Sequence, residues 1–564
     1  MRGVRTPRRQ WADAALMVPL AVVLLGPTVV AANRLWAVGG VDPVTAALDL
    51  SPAGWRSAWS SIQLAFLASI GVVVLGTPVA FALAQQPARR RRWMTTAVAL
   101  PFVTPSIVAA VAFLALMDVS GAFGSTLRTA QATALLGPGS TVLLVAMVWF
   151  NLSLVTRMLT PVLSRTDPAY LEQLRLLPHG TSLWLRIRSW WWPVLGPALG
   201  AAAGLTFTFA FTSFAVVRWL APEATTIELL LAEQGSGAGI PGYRTGLSRL
   251  VLGTAVVQGL ALLVAAVVVN AMQRHHGARL LQTTTLHNGI TTASRRSTAI
   301  ALSAVAFALT PLLAVLVASV RIRTPSGHRF GLDGWRRALD GDVGGTGLVE
   351  ALATSMGTAA WTVGIAVPVG WWCASAVLAA ERAGHRRRAQ AIDLLAMTPL
   401  VVSSAMVGLG SLLGLLRFAP DLIASPVLLP LAHATLVLPV VVRVLLPAMR
   451  ALPDDLEEQA ATLGLGPWRR WSLVRWPMLR PAAVVAAGLA LAFSLGEFGA
   501  SWILVRSTGS TTLAVLVDAW LARPGFDATT RPAAMAVASV LGLLAAGVML
   551  GVERWRDDRI GGGL

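Results

Sequence analysis

Long apolar runs alternate along this chain with short polar stretches in which arginine is frequent. A bilayer core of about 30 Å is crossed by about 20 helical residues at a rise of about 1.5 Å each. Twelve stretches of that length with few charges occur, near 13–33, 58–84, 94–117, 140–163, 193–219, 248–271, 298–320, 351–380, 392–416, 426–448, 477–504 and 532–552. The pattern predicts about 12 transmembrane helices and an all-α integral membrane protein. The first stretch is too long for a removable signal peptide and lacks a convincing small-residue cleavage site.

Composition agrees. Of 564 residues, 55% are hydrophobic and 13% charged, with a mean hydropathy of +0.68, against about 45–50% apolar residues in soluble domains. All 45 basic residues are arginine, so a phosphate-binding P-loop lysine and a Schiff-base lysine are excluded. The chain itself is then no ordinary ATPase, and no catalytic residue is assigned. Cys373 is the single cysteine, which rules out an internal disulfide and a Cys-rich metal site.

The net charge of +19 suggests nucleic acid until it is divided by position. Arg2, Arg5, Arg8 and Arg9 precede the first span, which by the positive-inside rule puts the N-terminus in the cytoplasm. Arg89 to Arg92, Arg274, Arg279, Arg295, Arg296, Arg386 to Arg388, and Arg554, Arg556 and Arg559 then fall on the same side, as do both termini. Thirty of the 45 arginines are cytoplasmic in this arrangement. The exception is the external segment 321–348, with five. Basic loops facing an anionic inner leaflet account for the charge without nucleic acid.

The chain also repeats itself. At an offset of 284, Gly180, Trp184, Arg186, Trp192, Pro193, Leu195 and Pro197 match Gly464, Trp468, Arg470, Trp476, Pro477, Leu479 and Pro481. Upstream the offset becomes 286, pairing Arg157 with Arg443 and Glu172 with Glu458. Downstream, Phe211-Thr-Ser-Phe214 pairs with Leu495-Gly-Glu-Phe498. Six spans per copy is an even number, so the copies are parallel repeats. The expected organisation is a first repeat over 1–271 with a cytoplasmic loop at 167–192, a linker over 272–297, and a second repeat over 298–564 with a loop at 450–476.

In the second loop, Pro453 suits a helix start, Asp454 and Asp455 suit its positive end, and Gly464 suits the position past its end. Leu456, Ala460 and Leu463 give this helix an apolar stripe, while Glu457, Glu458 and Ala461 leave a face for a partner. Pro467 restarts the chain, and Trp468-Arg-Arg-Trp471 to Trp476-Pro477 has the composition of a membrane-interface segment. Such an element, present twice, is shaped to be gripped by a soluble protein.

Glu458-Gln-Ala-Ala-Thr-Leu-Gly464, with Pro477 thirteen residues later, closely resembles the cytoplasmic "EAA" motif of binding-protein-dependent ABC importer permeases. The resemblance covers both halves and implies the type I ABC importer permease fold. It implies that Glu458 and Gly464, and Glu172 and Gly180 in the first copy, couple to separate ATPase subunits, two per transporter. It implies an extracytoplasmic substrate-binding protein, ATP bound only by the partner, no cofactor on this chain, and a multi-pass protein of the bacterial inner membrane. The first copy, Glu172-Gln-Leu-Arg-Leu-Leu-Pro178-His-Gly180, departs from the motif with Pro where Gly belongs.

Two permease copies in one chain look like the ferric-iron and thiamine branches. Phe150-Asn-Leu-Ser-Leu-Val-Thr-Arg157, Phe211-Thr-Ser-Phe214-Ala-Val-Val and Ala224-Thr-Thr-Ile-Glu-Leu229 are similar to parts of thiamine permeases. Ser213, Phe214, Glu497 and Phe498 are the candidates for the substrate pathway. Glu497 is an acid placed well inside a span, a costly position that marks function. It suits a cationic cargo, or alternatively caps or pairs with a neighbouring helix. His433, Asn151 and Trp149 read as helix-packing groups. An ion-coupled secondary transporter is the other class with two parallel halves, but beyond Glu497, Arg157 and Arg443 the spans offer little for a charge relay.

Overall fold

The structure, a computed structural model, describes residues 7–164, 188, 191–235, 237, 244–282, 293–341, 346–400, 402–422, 425–508 and 511–560. It is an all-α integral membrane protein, and the helices that organise it are α1 (Pro7–Gly39), α2 (Pro52–Ala84), α3 (Ala88–Val103), α4 (Ser106–Val119), α5 (Ser140–Ser164), α6 (Trp192–Phe211), α7 (Ala215–Leu220), α8 (Ile227–Gly235), α9 (Thr245–Gln282), α10 (Arg295–Val320), α11 (Leu348–Arg382), α12 (Arg386–Met397), α13 (Ser404–Phe418), α14 (Leu428–Arg450), α15 (Asp454–Thr462), α16 (Trp476–Gly496), α17 (Gly499–Thr508), α18 (Leu513–Leu521) and α19 (Thr530–Ile560).

Ten of the twelve expected spans are continuous helices long and apolar enough to cross a bilayer. The other two are broken. Segment 94–117 is the pair α3 and α4, bent by 102° at Thr104 and Pro105. Segment 392–416 divides into α12 and α13 around a short helical turn at Thr398–Leu400, and α13 has only 15 residues. Hydropathy registers the apolar run but is blind to the bend. The linker expected over 272–297 is helical at its start, since α9 continues to Gln282. Segment 321–348 holds an antiparallel hairpin, β1 (Arg321–Thr324) with β2 (Gly327–Phe330), and a short helix, Asp333–Asp340.

Helix packing follows residue size. On α2, Trp55, Trp59, Phe66, Ile70 and Val74 are exposed on the outer side, while Ser57, Ser61, Ala65, Ala68, Ser69 and Val72 are buried. In lipid an apolar side chain gains little by leaving the surface, so small residues that let backbones approach are what the interface selects. α2 packs on α5 and α6, α11 packs on α14 and α16, α6 packs on α9, and α16 packs on α19.

The first long helix of each half lies on the other half: α1 packs against α13, and α10 packs against α3 and α4. One contact there is set by chemistry. Pro311 within α10 has no N–H to give the carbonyl of Phe307 four residues earlier, and an unsatisfied carbonyl is costly at membrane depth. The indole of Trp149 on α5 donates to the Phe307 carbonyl at 3.0 Å and to that of Ala308 at 3.1 Å. The packing role expected of Trp149 is therefore specific to one backbone defect.

Candidate functional site: a motif helix and a central aromatic cavity

α15 starts directly after Pro453 and ends at Thr462. Its end is closed by backbone bonds from Gly464 N–H to the Ala461 carbonyl at 3.0 Å and from Leu465 N–H to the Ala460 carbonyl at 3.1 Å. Gly464 has φ +77°, a left-handed conformation that L side chains resist. No atom lies within 4 Å of the place a Cβ would take, so glycine is required there by backbone shape. Glu458 and Ala461 are exposed. Ala460 is buried, and Leu456 helps to line a cavity of about 290 Å³ shared with Trp371, Met449 and Trp471. Leu463 leaves the expected apolar stripe: it is 79% exposed, because the helix closes one residue earlier and turns it outward. Glu172 and Gly180 lie outside the described residues.

The segment after Gly466 is continuous with the next span, as one helical stretch over Pro467–Gly496. It passes through a π-helical turn at Trp471–Arg475. Trp468 stacks on Trp471 at 5.1 Å between ring centroids, and Trp471 on Trp476 at 5.6 Å, with 22° between planes in each case. The segment from Pro467 is thus joined to α16 by continuous backbone and by a stack of three indoles, and α15 reaches it through the turn at Gly464. Twenty helical residues further on, about 30 Å away, α16 ends at Gly496.

A cavity of about 260 Å³ lies among the breaks of four helices, with Thr104 and Pro105 after α3, Thr212 to Phe214 after α6, Val402 and Ser403 before α13, and Glu497 and Phe498 after α16. Six phenylalanines line it: Phe102, Phe150, Phe209, Phe214, Phe493 and Phe498. Phe102 approaches Phe209 at 5.6 Å and Phe493 at 6.3 Å. Phe214 and Phe498, paired by the sequence offset of 284, stack at 5.2 Å with 18° between planes. Hydroxyls of Thr104, Ser213, Ser403 and Ser404 residues and the carboxylate-bearing Glu497 also contribute to the lining. The four pathway candidates Ser213, Phe214, Glu497 and Phe498 therefore meet at one place.

Glu497 is held there by its neighbours. Its carboxylate accepts the backbone N–H of Ala500 at 2.9 Å and of Ser501 at 3.0 Å, capping α17, and the Ser501 hydroxyl at 3.0 Å. The Nε2 of buried His433 is 3.3 Å from it, and the His433 ring also meets the hydroxyls of Ser494 and Ser501, each at 2.9 Å. Glu497 thus caps α17, as one of its two readings expected, and also lines the cavity. The loop sits tightly: a Cβ on Gly499 would lie 2.1 Å from Ser404 Oγ.

Two buried acids, Glu228 and Asp518, were not singled out by sequence reasoning. Glu228 on α8 is fully buried, accepting from Gln258 Nε2 at 2.7 Å and from the Ala405 N–H of α13 at 3.4 Å. Asp518 on α18 is 5% exposed. The signal was present as a lone acid in the apolar runs Ile227-Glu-Leu-Leu-Leu and Leu513-Ala-Val-Leu-Val-Asp518, but both runs lie between assigned spans.

No protein-family profile matches the chain. It is similar to the thiamine transport system permease protein of Brucella suis, 26% identical over 532 residues that cover 92% of this chain and 91% of the relative. It is also 38% identical to a molybdenum transport system permease protein of Mycobacterium tuberculosis over 122 residues, 22% of this chain and 45% of the relative. A sulfate transport system permease protein of Escherichia coli is 36% identical over 113 residues, 20% and 39%. These relatives are transport permeases, and the match along nearly the full length is to a chain of the same extent. Together with the multi-helix membrane fold and a motif helix that precedes a span, these similarities support an ABC importer permease with two permease domains fused in one polypeptide.

Proposed function

We propose that this permease carries thiamine or a related small aromatic cation through the cavity between its two halves. The observation that carries the reading is the lining. Six phenylalanines and one carboxylate surround the space, with no basic side chain among the described lining residues. A cation over an aromatic face gains about 0.5–2 kcal/mol, and an oxyanion such as sulfate or molybdate would meet the negative faces of the rings and of Glu497. Ferric iron, a hard cation held by several oxygen or nitrogen donors, finds one carboxylate here. The extended similarity to a thiamine permease supports the same choice.

The remaining parts have assigned work in this reading. The repeats 1–271 and 298–564, joined through 272–297, rock against each other. Reciprocal packing of α1 on α13 and of α10 on α4, and the stack of Phe214 on Phe498, support a two-fold relation between them. Two ATPase subunits bind the cytoplasmic face, one gripping α15 through Glu458 and the turn at Gly464, the other the segment bearing Glu172 and Gly180. ATP binds and is hydrolysed on those subunits, and a substrate-binding protein delivers cargo to the opposite face. Both termini are cytoplasmic. Uptake of labelled thiamine by cells deficient in thiamine transport, expressing the chain with its ATPase and receptor, tests the cargo. Uptake competed by unlabelled thiamine and insensitive to sulfate, molybdate and ferric iron is expected, whereas competition by one of those ions and indifference to thiamine overturns the assignment.

A further inference from the structure

Beyond the Phe214–Phe498 stack, on the side of the cavity away from the motif helix, the chain builds a second contact between its halves. Arg218 lies on α7, four residues past Phe214, and Asp518 lies on α18. The carboxylate of Asp518 accepts from Arg218 Nε at 3.2 Å and from the Trp219 indole at 2.9 Å, both from the first half. Its other oxygen accepts from the Trp502 indole at 3.0 Å, from its own half. The Arg218 guanidinium lies 5.0 Å over the Trp502 ring and 5.9 Å over that of Phe214. Trp502 in turn meets Phe214 edge-on at 5.3 Å. Aromatic stack and ion pair are one continuous plug.

We propose that Arg218 and Asp518 form the latch that holds the outer end of the pathway shut and parts in each transport cycle. The partners left behind on each side carry the argument. Removing one member of a buried pair is costly because the other charge is stranded. Here separation of the halves strands neither. Arg218 keeps Glu233 of its own half, at 2.8 Å, and Asp518 keeps the Trp502 indole N–H. Arg218 and Glu233 are also 21% and 42% exposed, within reach of water. A purely structural bridge would need no such second partners, whereas a contact that opens repeatedly does.

This rests on the importer reading and on the cytoplasmic placement of α15, and the test separates them. In cells carrying the assembled transporter with Cys373→Ala, single cysteines at Ser213 and, separately, at Leu463 are exposed to a membrane-impermeant maleimide from outside. Leu463→Cys reports orientation alone: labelling there contradicts the importer arrangement and leaves the latch question to Ser213→Cys. With Arg218 and Asp518 intact, Ser213→Cys should label slowly. Arg218→Gln and Asp518→Asn should each raise its rate at least tenfold, and Glu233→Gln should not. Equal rates in all variants that still assemble with the ATPase, or an effect of Glu233→Gln as large as that of Asp518→Asn, overturns the latch.

Discussion

Phe214 and Phe498 stack with ring centroids 5.2 Å apart although 284 residues separate them, and the same offset aligns their flanking sequences. Each follows the end of a long helix, α6 at Phe211 and α16 at Gly496. A residue and its repeat equivalent touch when both lie near the axis relating two copies, which is where a single pathway between them must pass. Ring pairs of this kind contribute about 0.5–1.5 kcal/mol beyond burial. Phe214→Leu and Phe498→Leu should each raise the KM for uptake of an aromatic cation by roughly 3- to 30-fold, using about 1.4 kcal/mol per tenfold. The double variant should fall short of the product, as checked by initial uptake rates. Strict additivity would mean the rings act separately.

Gly464 is required by its φ of +77° and by no steric neighbour. A left-handed residue with a Cβ costs about 1–2 kcal/mol, less for Asn than for Ala or Val. Co-purification of the ATPase should therefore weaken in the order Gly464, Gly464→Asn, Gly464→Ala, Gly464→Val. Membrane insertion, followed by the amount of chain in the membrane fraction, should stay level across the series. An order set by side-chain volume alone would replace the conformational explanation by a steric one.

Glu497 caps α17 and meets His433 in one arrangement. Glu497→Gln keeps an amide oxygen for the Ala500 or Ser501 N–H, so the thermal stability of the purified permease should change by about 1 kcal/mol or less. Uptake of a cation should nevertheless suffer, with KM raised about tenfold. Glu497→Ala should lose both. Comparing melting curves with uptake KM separates the two duties.

The buried Glu228 joins α8 to α9 through Gln258 and to α13 through the Ala405 N–H. Glu228→Gln keeps the shape and one acceptor oxygen, and Gln258 can turn its amide to accept from the new NH2, so this variant should be tolerated. Glu228→Leu strands both donors, at about 1–3 kcal/mol for a buried unsatisfied group. A lower melting temperature for the Leu variant than for the Gln variant is the expected result, and equal melting would show that these bonds contribute nothing net.

Spans were legible because the bilayer imposes a length and an apolar composition that the sequence must carry openly, and ten of the expected helices run unbroken. The bends at Pro105 and near Ser403 were not legible, since a broken apolar helix and a straight one have the same hydropathy. The bounds of α15 could be read from Pro453 and Gly464 because helix ends have local chemistry. The cavity could not: its wall comes from four breaks scattered over about 400 residues, and Arg218, Asp518 and Glu228 acquire meaning only from partners brought by the fold. Ser213, Phe214, Glu497 and Phe498 were reachable because the repeat and the resemblance marked their neighbourhoods.

The most direct test reconstitutes this chain with its ATPase and receptor in proteoliposomes and follows labelled thiamine with ATP supplied on the motif side. Accumulation that requires ATP and the ATPase, and that disappears with Gly464→Pro while the chain remains inserted, is what this account predicts. Cargo that accumulates without the ATPase, or full transport by Gly464→Pro, would contradict it.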